Sequence, residues 1–124
     1  MESLTDKNYW GERQNNLGVD VPNLDKPISY IINKIIPFLK EYENGTFLEL
    51  GCSPGYMSYY ICERVNIKPY GVDFSEQAYL YEKCLKQLKY CEPVLYKEDI
   101  LHFRPTNLFD VVASFGLIEH FKDT

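Results

Sequence analysis

A length of 124 residues predicts one domain, and 45% apolar with 25% charged residues is the balance of a globular chain with a core. A formal net charge of −5 argues against a nucleic-acid or membrane surface as the main partner, because phosphate binding needs clustered Lys and Arg. The polar N-terminus has no apolar segment of signal-peptide type, and the longest apolar stretch, residues 30–39, is too short to span a bilayer.

In chain order, residues 3–14 read as a short helix capped by Ser3, and residues 15–23 as a loop. Asp25 is expected to cap a helix with Pro27 in its first turn and one apolar stripe, Ile28, Ile31, Ile32, Ile35 and Leu39. Pro37 is expected to kink or interrupt that helix, and Asn44-Gly45 to end it. Residues 46–50 then read as a buried strand, 54–65 as a helix and 69–73 as a second strand. Ser75 is expected to cap a further helix buried through Ala78, Tyr81, Leu85 and Leu88, whose Lys83, Lys86 and Lys89 form a solvated face. Residues 93–97 and 109–115 read as third and fourth strands, the fourth the most apolar. Strands alternating with helices predict an α/β fold with a doubly wound parallel sheet, although the third connection is short for a crossover helix.

The four cysteines form no Cys-x-x-Cys pair and only two histidines accompany them, so no metal site is expected. Buried free thiols in a reducing cytoplasm are the expectation instead.

In such sheets ligands bind beyond the carboxyl ends of the strands. At the first strand that end is Glu49-Leu50-Gly51-Cys52-Ser53-Pro54-Gly55. Gly51 and Gly55 allow a tight turn and close ligand approach, Pro54 suits the first position of a helix, and that helix start offers N–H groups to an anion. Glu49 is a charge inside an apolar strand and suggests a polar ligand, the alternative being a structural salt bridge. Asp73 ends the second strand twenty-two residues after Gly51, a spacing that fits ribose hydroxyl binding. A dinucleotide fingerprint registered on Gly51 would put Ser53 and Tyr56 where glycines are needed, which ranks a nicotinamide-dependent oxidoreductase low.

The segment 49–55 resembles motif I of class I S-adenosylmethionine-dependent methyltransferases, with Ser53 in place of the middle glycine. Gly71-Val72-Asp73-Phe74-Ser75, Glu98-Asp99-Ile100, Phe109-Asp110-Val111-Val112 and Gly116-Leu117-Ile118-Glu119-His120 resemble the family's later motifs in order, and Tyr9-Trp10 with Arg13 a segment that often precedes them. The resemblance implies a Rossmann-like fold and S-adenosyl-L-methionine as cofactor. It implies Glu49 at the donor's amino end, Asp73 at the ribose and Asp99 at the adenine. Phe74 and Ile100 would pack on the adenine, and Gly51, Cys52, Ser53, Gly55 and Ser114 would line the same site. His120, with Glu119 beside it, is the candidate base for a small-molecule methyl acceptor. His102 reads as a loop residue and Asp110 as structural.

The resemblance further implies that residues 1–24 are an N-terminal helix and loop, a candidate lid, and that 25–124 are an incomplete cofactor-binding domain. The family's sheet has more strands than these four. A truncated or split enzyme is therefore expected, or pairing of the open fourth-strand edge with a second copy or a complementary C-terminal half. A non-catalytic binding or interaction module is the alternative function.

Overall fold

Four short apolar runs come together as one parallel sheet in a computed structural model that describes residues 21–22 and 26–115. The helix expected over 3–14, Asp25 and the pair Glu119 and His120 lie outside the described residues. The described elements are α1 (Lys26–Lys40), β1 (Thr46–Leu50), α2 (Tyr56–Arg64), β2 (Lys68–Val72), α3 (Tyr79–Leu85), β3 (Val94–Tyr96) and β4 (Val111–Ser114). The sheet order is β3-β2-β1-β4, so the chain steps outward from β1 to β3 and returns to the other side of β1. That reversal creates a switch point between β1 and β4, at the carboxyl ends of the strands. In register, Leu50 lies opposite Val72 on one side and Ser114 on the other.

Alternation along β1 assigns its two faces. Phe47 packs in a core with Ile32 and Leu39 of α1, Ile61 of α2, and Tyr81 and Leu85 of α3. Each such buried side chain contributes roughly 1.5–3 kcal/mol. On the opposite face Leu48 and Val72 meet Phe103, with Tyr70, Tyr96, Ile100 and Phe109 around them. Tyr70 stacks on Tyr96 at 6.4 Å between centroids and meets Phe109 edge-on at 4.9 Å. The segment between β3 and β4, which forms no helix, covers the sheet there with Phe103 and Phe109. Among the described residues β4 is an edge strand, and Val112 on it is exposed.

Several expected boundaries move. α1 runs through Pro37 to Lys40 without a break. Pro37 and Asn33 are both exposed, so the carbonyl that loses its intrahelical partner lies on the solvent side, while Leu39 anchors the last turn in the core. Within the stripe, Ile31 is exposed and Ile36 packs on the core instead. α2 starts at Tyr56, after Gly55, so Pro54 precedes the helix rather than opening it. Gly55 has φ 101°, a left-handed conformation that delays helix entry. α3 starts at Tyr79 with Ala78 at its cap position, not at Ser75. Ser75 donates its N–H to Asp73 Oδ1 at 2.9 Å, an Asx-type turn that competes with a helix start. Leu88 lies past the end of α3 yet remains half-buried. β3 and β4 are shorter than expected, three and four residues.

Asp110 has the structural role expected of it. Its Oδ2 accepts the Thr46 N–H at 2.8 Å, and its own N–H donates to Thr46 Oγ1 at 3.0 Å. This reciprocal pair joins the start of β1 to the start of β4.

Candidate functional site

The turn after β1 is built on the end of β2. The N–H groups of Gly51 and Cys52 both donate to the Val72 carbonyl, at 2.8 and 3.3 Å. Gly51 has φ 71°, which glycine adopts without strain. The Ser53 N–H then donates to Asp73 Oδ2 at 3.0 Å, and Ser53 Oγ donates to the Gln77 carbonyl at 2.9 Å. Gly55 packs on the backbone of Tyr81, where a Cβ would sit 3.3 Å from Tyr81 Cα. The turn is therefore held from below by α3 and from the side by Asp73.

The structure brings Glu49, Gly51, Cys52, Ser53, Gly55 and Asp73 together at one end of the sheet. Glu49 is buried and accepts a hydrogen bond from Ser58 Oγ of α2 at 2.5 Å. Burial pushes its carboxyl up to about 8; the Ser58 bond opposes this and nearby Asp73 adds to it. The Cys52 side chain is buried against Gly71, whose missing Cβ would collide with the Cys52 sulfur. Its backbone is the part left to meet a ligand. Burial, then Glu49 and Asp73, pushes the Cys52 thiol far above its ordinary value, so it is no nucleophile.

Asp73 is half-buried, and its own N–H donates to the Tyr96 carbonyl at 3.1 Å, linking the ends of β2 and β3. Each Asp73 oxygen takes one backbone N–H, which leaves each a lone pair for a further donor. Phe74 follows with its ring 69% exposed, free to cover a flat ligand. Ile100 packs beside Leu50 in the aromatic-lined cluster of the opposite face. Ser114 pairs in register with Leu50 beside the turn, and its side chain is exposed.

Asp99 is turned into its own loop. Its Oδ1 accepts the Leu101 N–H at 3.0 Å, and its Oδ2 lies 3.2 Å from His102 Nδ1. His102 is thus a loop residue with a definite partner. Glu119 and His120 lie outside the described residues.

Two residues of the site were not singled out for it from sequence. Ser58 supports Glu49, and the signal was its place nine residues on, in the first turns of the following helix. Tyr81 was read only as core. It supports both Gly55 and Gly71, and among the described residues its buried hydroxyl has no hydrogen-bond partner.

The chemistry of this set is one-sided. The turns after β1 and β2, residues 51–55 and 73–78, contain no Lys or Arg, while Glu49 and Asp73 present carboxyl groups. Such a set fits a ligand with positive charge and hydroxyl donors and suits a pyrophosphate poorly. The start of α2 adds N–H groups that can take one carboxylate.

Among the described residues, no helix is long and apolar enough to cross a membrane. No curated protein matches the sequence. A family model described as "Methyltransferase domain" matches residues 47–124. Similar solved structures include magnesium protoporphyrin IX methyltransferase from Synechocystis PCC 6803 with bound SAM: TM-score 0.64, 12% identity, 97% of this chain and 61% of that one. Coclaurine N-methyltransferase bound to N-methylheliamine and SAH has TM-score 0.63 and 16% identity over 77% of this chain and 29% of that one. The N-methyltransferase NodS from Bradyrhizobium japonicum WM9, in complex with SAH, has TM-score 0.58 and 16% identity over 82% and 52%. The chain thus spans about 29–61% of the length of these three structures. With the family model covering the strands and turn described above, the chain belongs to the class I S-adenosylmethionine-dependent methyltransferase family, whose Rossmann-like fold it shares.

Proposed function

We propose that this chain forms the S-adenosyl-L-methionine site of a methyltransferase that acts on a small-molecule acceptor. The observation that carries the reading is the pairing of the glycine turn with Asp73, flanked by buried Glu49 and by no Lys or Arg. Bound S-adenosylmethionine supplies an electrophilic methyl group on a sulfonium. The residues of this chain supply position and orientation.

Asp73 accepts ribose hydroxyls through its remaining lone pairs. Phe74, Ile100 and Asp99 serve the adenine, and Gly51, Cys52, Ser53, Gly55 and Ser114 line the space between. For Asp99 the adenine amino group takes a lone pair left over beside its Leu101 and His102 partners. Glu49 faces the ligand's amino end. A cation there brings its carboxyl back down, so binding near neutral pH releases a proton. The start of α2 takes the ligand's carboxylate.

His120 is the proposed base, with Glu119 beside it, and residues 1–24 are the proposed lid over a cofactor-binding unit of residues 25–124. The small acceptors of the matched N-methyltransferase and porphyrin-methylating structures support a small-molecule substrate. The edge that β4 presents among the described residues supports pairing with a second copy or a complementary segment. The free, buried cysteines support a cytoplasmic setting.

The test is photo-crosslinking of radiolabelled S-adenosylmethionine to the chain, with S-adenosylhomocysteine and NADH as competitors. Label that S-adenosylhomocysteine displaces and NADH does not is expected. Displacement by NADH alone would favour the oxidoreductase. In a form that transfers methyl groups, His120→Ala is expected to lower turnover about 10²–10⁴-fold while leaving crosslinking intact.

A further inference from the structure

At the amino end of the sheet, opposite the glycine turn, lies a cavity of about 250 Å³ whose walls the cofactor reading does not use. It is lined by the starts of β1 and β2, including Gly45 and Lys68, and by Tyr90. Two cysteines from separate parts of the chain also line it: Cys62 in α2 and Cys91, three residues before β3. Both are buried and free.

The pair is held together by more than shared burial. Their side chains lie close enough for each to shift the other's ionisation. The Cys62 thiol donates to the Ile67 carbonyl at 3.7 Å, which fixes its sulfur in place. The Tyr90 hydroxyl donates to the Cys62 carbonyl at 3.0 Å and so pins the segment carrying Cys91 against α2. The Cys91 N–H is fixed in turn on the Leu88 carbonyl at 2.9 Å.

Their surroundings make the two thiols unequal. The interaction with Cys62 holds the Cys91 thiol below its ordinary value, against burial and Glu92. The interaction with Cys91 and burial push Cys62 up. The first proton therefore leaves the pair from Cys91, which becomes a thiolate beside a thiol. The other two cysteines differ. Burial and then Glu49 raise both, Cys84 to about 12 and Cys52 further.

We propose that Cys62 and Cys91 are a redox-modification site that closes to an intramolecular disulfide on exposure to a peroxide. The Cys91 sulfur attacks one peroxide oxygen, the O–O bond breaks and hydroxide leaves, which takes up a proton to give water. Cys91 is then a sulfenic acid. The Cys62 sulfur, losing its proton, attacks the Cys91 sulfur; the S–O bond breaks, the S–S bond forms and a second water leaves. Two thiols are oxidised and one peroxide is reduced. The link ties α2 to the segment entering β3 and leaves the glycine turn at the other end of the sheet untouched.

The test treats the folded chain with hydrogen peroxide, alkylates the remaining thiols after denaturation, and reads intact mass and linked peptides. Loss of two hydrogens, alkylation of two of the four cysteines and a peptide joining Cys62 to Cys91 are expected. Cys52→Ala should keep that link, while Cys62→Ala and Cys91→Ala should lose it. Four alkylated cysteines after treatment would overturn the proposal. So would a link between other cysteines or between two chains, or Cys91 oxidised to a sulfinic acid with Cys62 still alkylated. Mapping of the unsubstituted chain decides the matter even where an alanine variant fails to fold.

Discussion

The Ser53 N–H donates to Asp73 Oδ2 at 3.0 Å and so locks the turn after β1 onto the end of β2. The bond runs through the backbone of Ser53, which explains how a serine can stand where the family motif carries its middle glycine. The Ser53 side chain points elsewhere, donating to the Gln77 carbonyl. Ser53→Ala should therefore cost about 1 kcal/mol of stability for the lost hydrogen bond, read from urea unfolding. S-adenosylhomocysteine affinity should change less than about twofold, far below the tenfold that 1.4 kcal/mol represents.

Glu49 makes stability fall with rising pH. Its carboxyl sits near 8 in the folded chain against 4.5 as the ordinary value. Folding therefore favours its protonated form. That contribution is fully present below pH 4.5 and is lost as pH rises through about 8. At 1.36 kcal/mol per pKa unit, the swing is at most about 5 kcal/mol. Glu49→Gln keeps an acceptor for Ser58 and removes the titration. Urea unfolding at pH 5 and pH 8 should show the unsubstituted chain losing stability over that interval and the variant holding level by comparison. Parallel profiles would mean that Glu49 ionises freely.

Gly71 is a packing glycine. A Cβ there would collide with Cys52 and lie 2.8 Å from Tyr81 Cζ. Both neighbours are buried and neither has room to yield. Gly71→Ala should cost about 1–3 kcal/mol as an overpacked core site and should loosen the turn above it. Thermal unfolding reads the first effect, and hydrogen exchange at Cys52 and Ser53 the second.

Asp110→Ala removes the acceptor that holds the Thr46 N–H at 2.8 Å. The site is exposed, so water replaces part of the bond and the cost should be about 1 kcal/mol. Binding of S-adenosylhomocysteine should stay within about twofold, because Asp110 lies at the opposite end of β1 and 1.4 kcal/mol is needed for tenfold. A large loss of binding would show that β4 is displaced as a whole.

The sheet and its turn were legible in the sequence because their signals are local. An apolar run ending in Glu49-Leu50-Gly51, with Gly55 four residues on, specifies strand, turn and helix within eleven residues, 46–56. The position of β4 beside β1, with Leu50 in register with Ser114, is a long-range pairing that no local signal specifies. The starts of α2 and α3 were not legible, because each depends on a competition that sequence alone leaves open. Ser75 has the chemistry of a cap, yet its N–H is taken by Asp73 and the helix begins at Tyr79. Pro54 suits a first helical position, yet Gly55 adopts φ 101° after it. The continuity of α1 through Pro37 depends on which face Asn33 occupies, a tertiary fact. Within the site, Glu49 and Asp73 were found as charges at strand ends. Ser58 and Tyr81 were not, because a serine and a tyrosine on a helix carry no signal until the strand beside them is placed.

The central claim is that the glycine turn and Asp73 form a site for S-adenosylmethionine. Calorimetric titration of S-adenosylhomocysteine into the folded chain, with Asp73→Ala and Asp73→Asn alongside, tests it most directly. The account predicts one-to-one binding that Asp73→Ala weakens at least about tenfold, the loss of charge-assisted hydrogen bonds being roughly 1.5–3 kcal/mol. Asp73→Asn, which keeps acceptor capacity and loses the charge, should fall between. Absence of binding by a chain whose cooperative unfolding shows it to be folded would contradict the account, as would equal binding by all three.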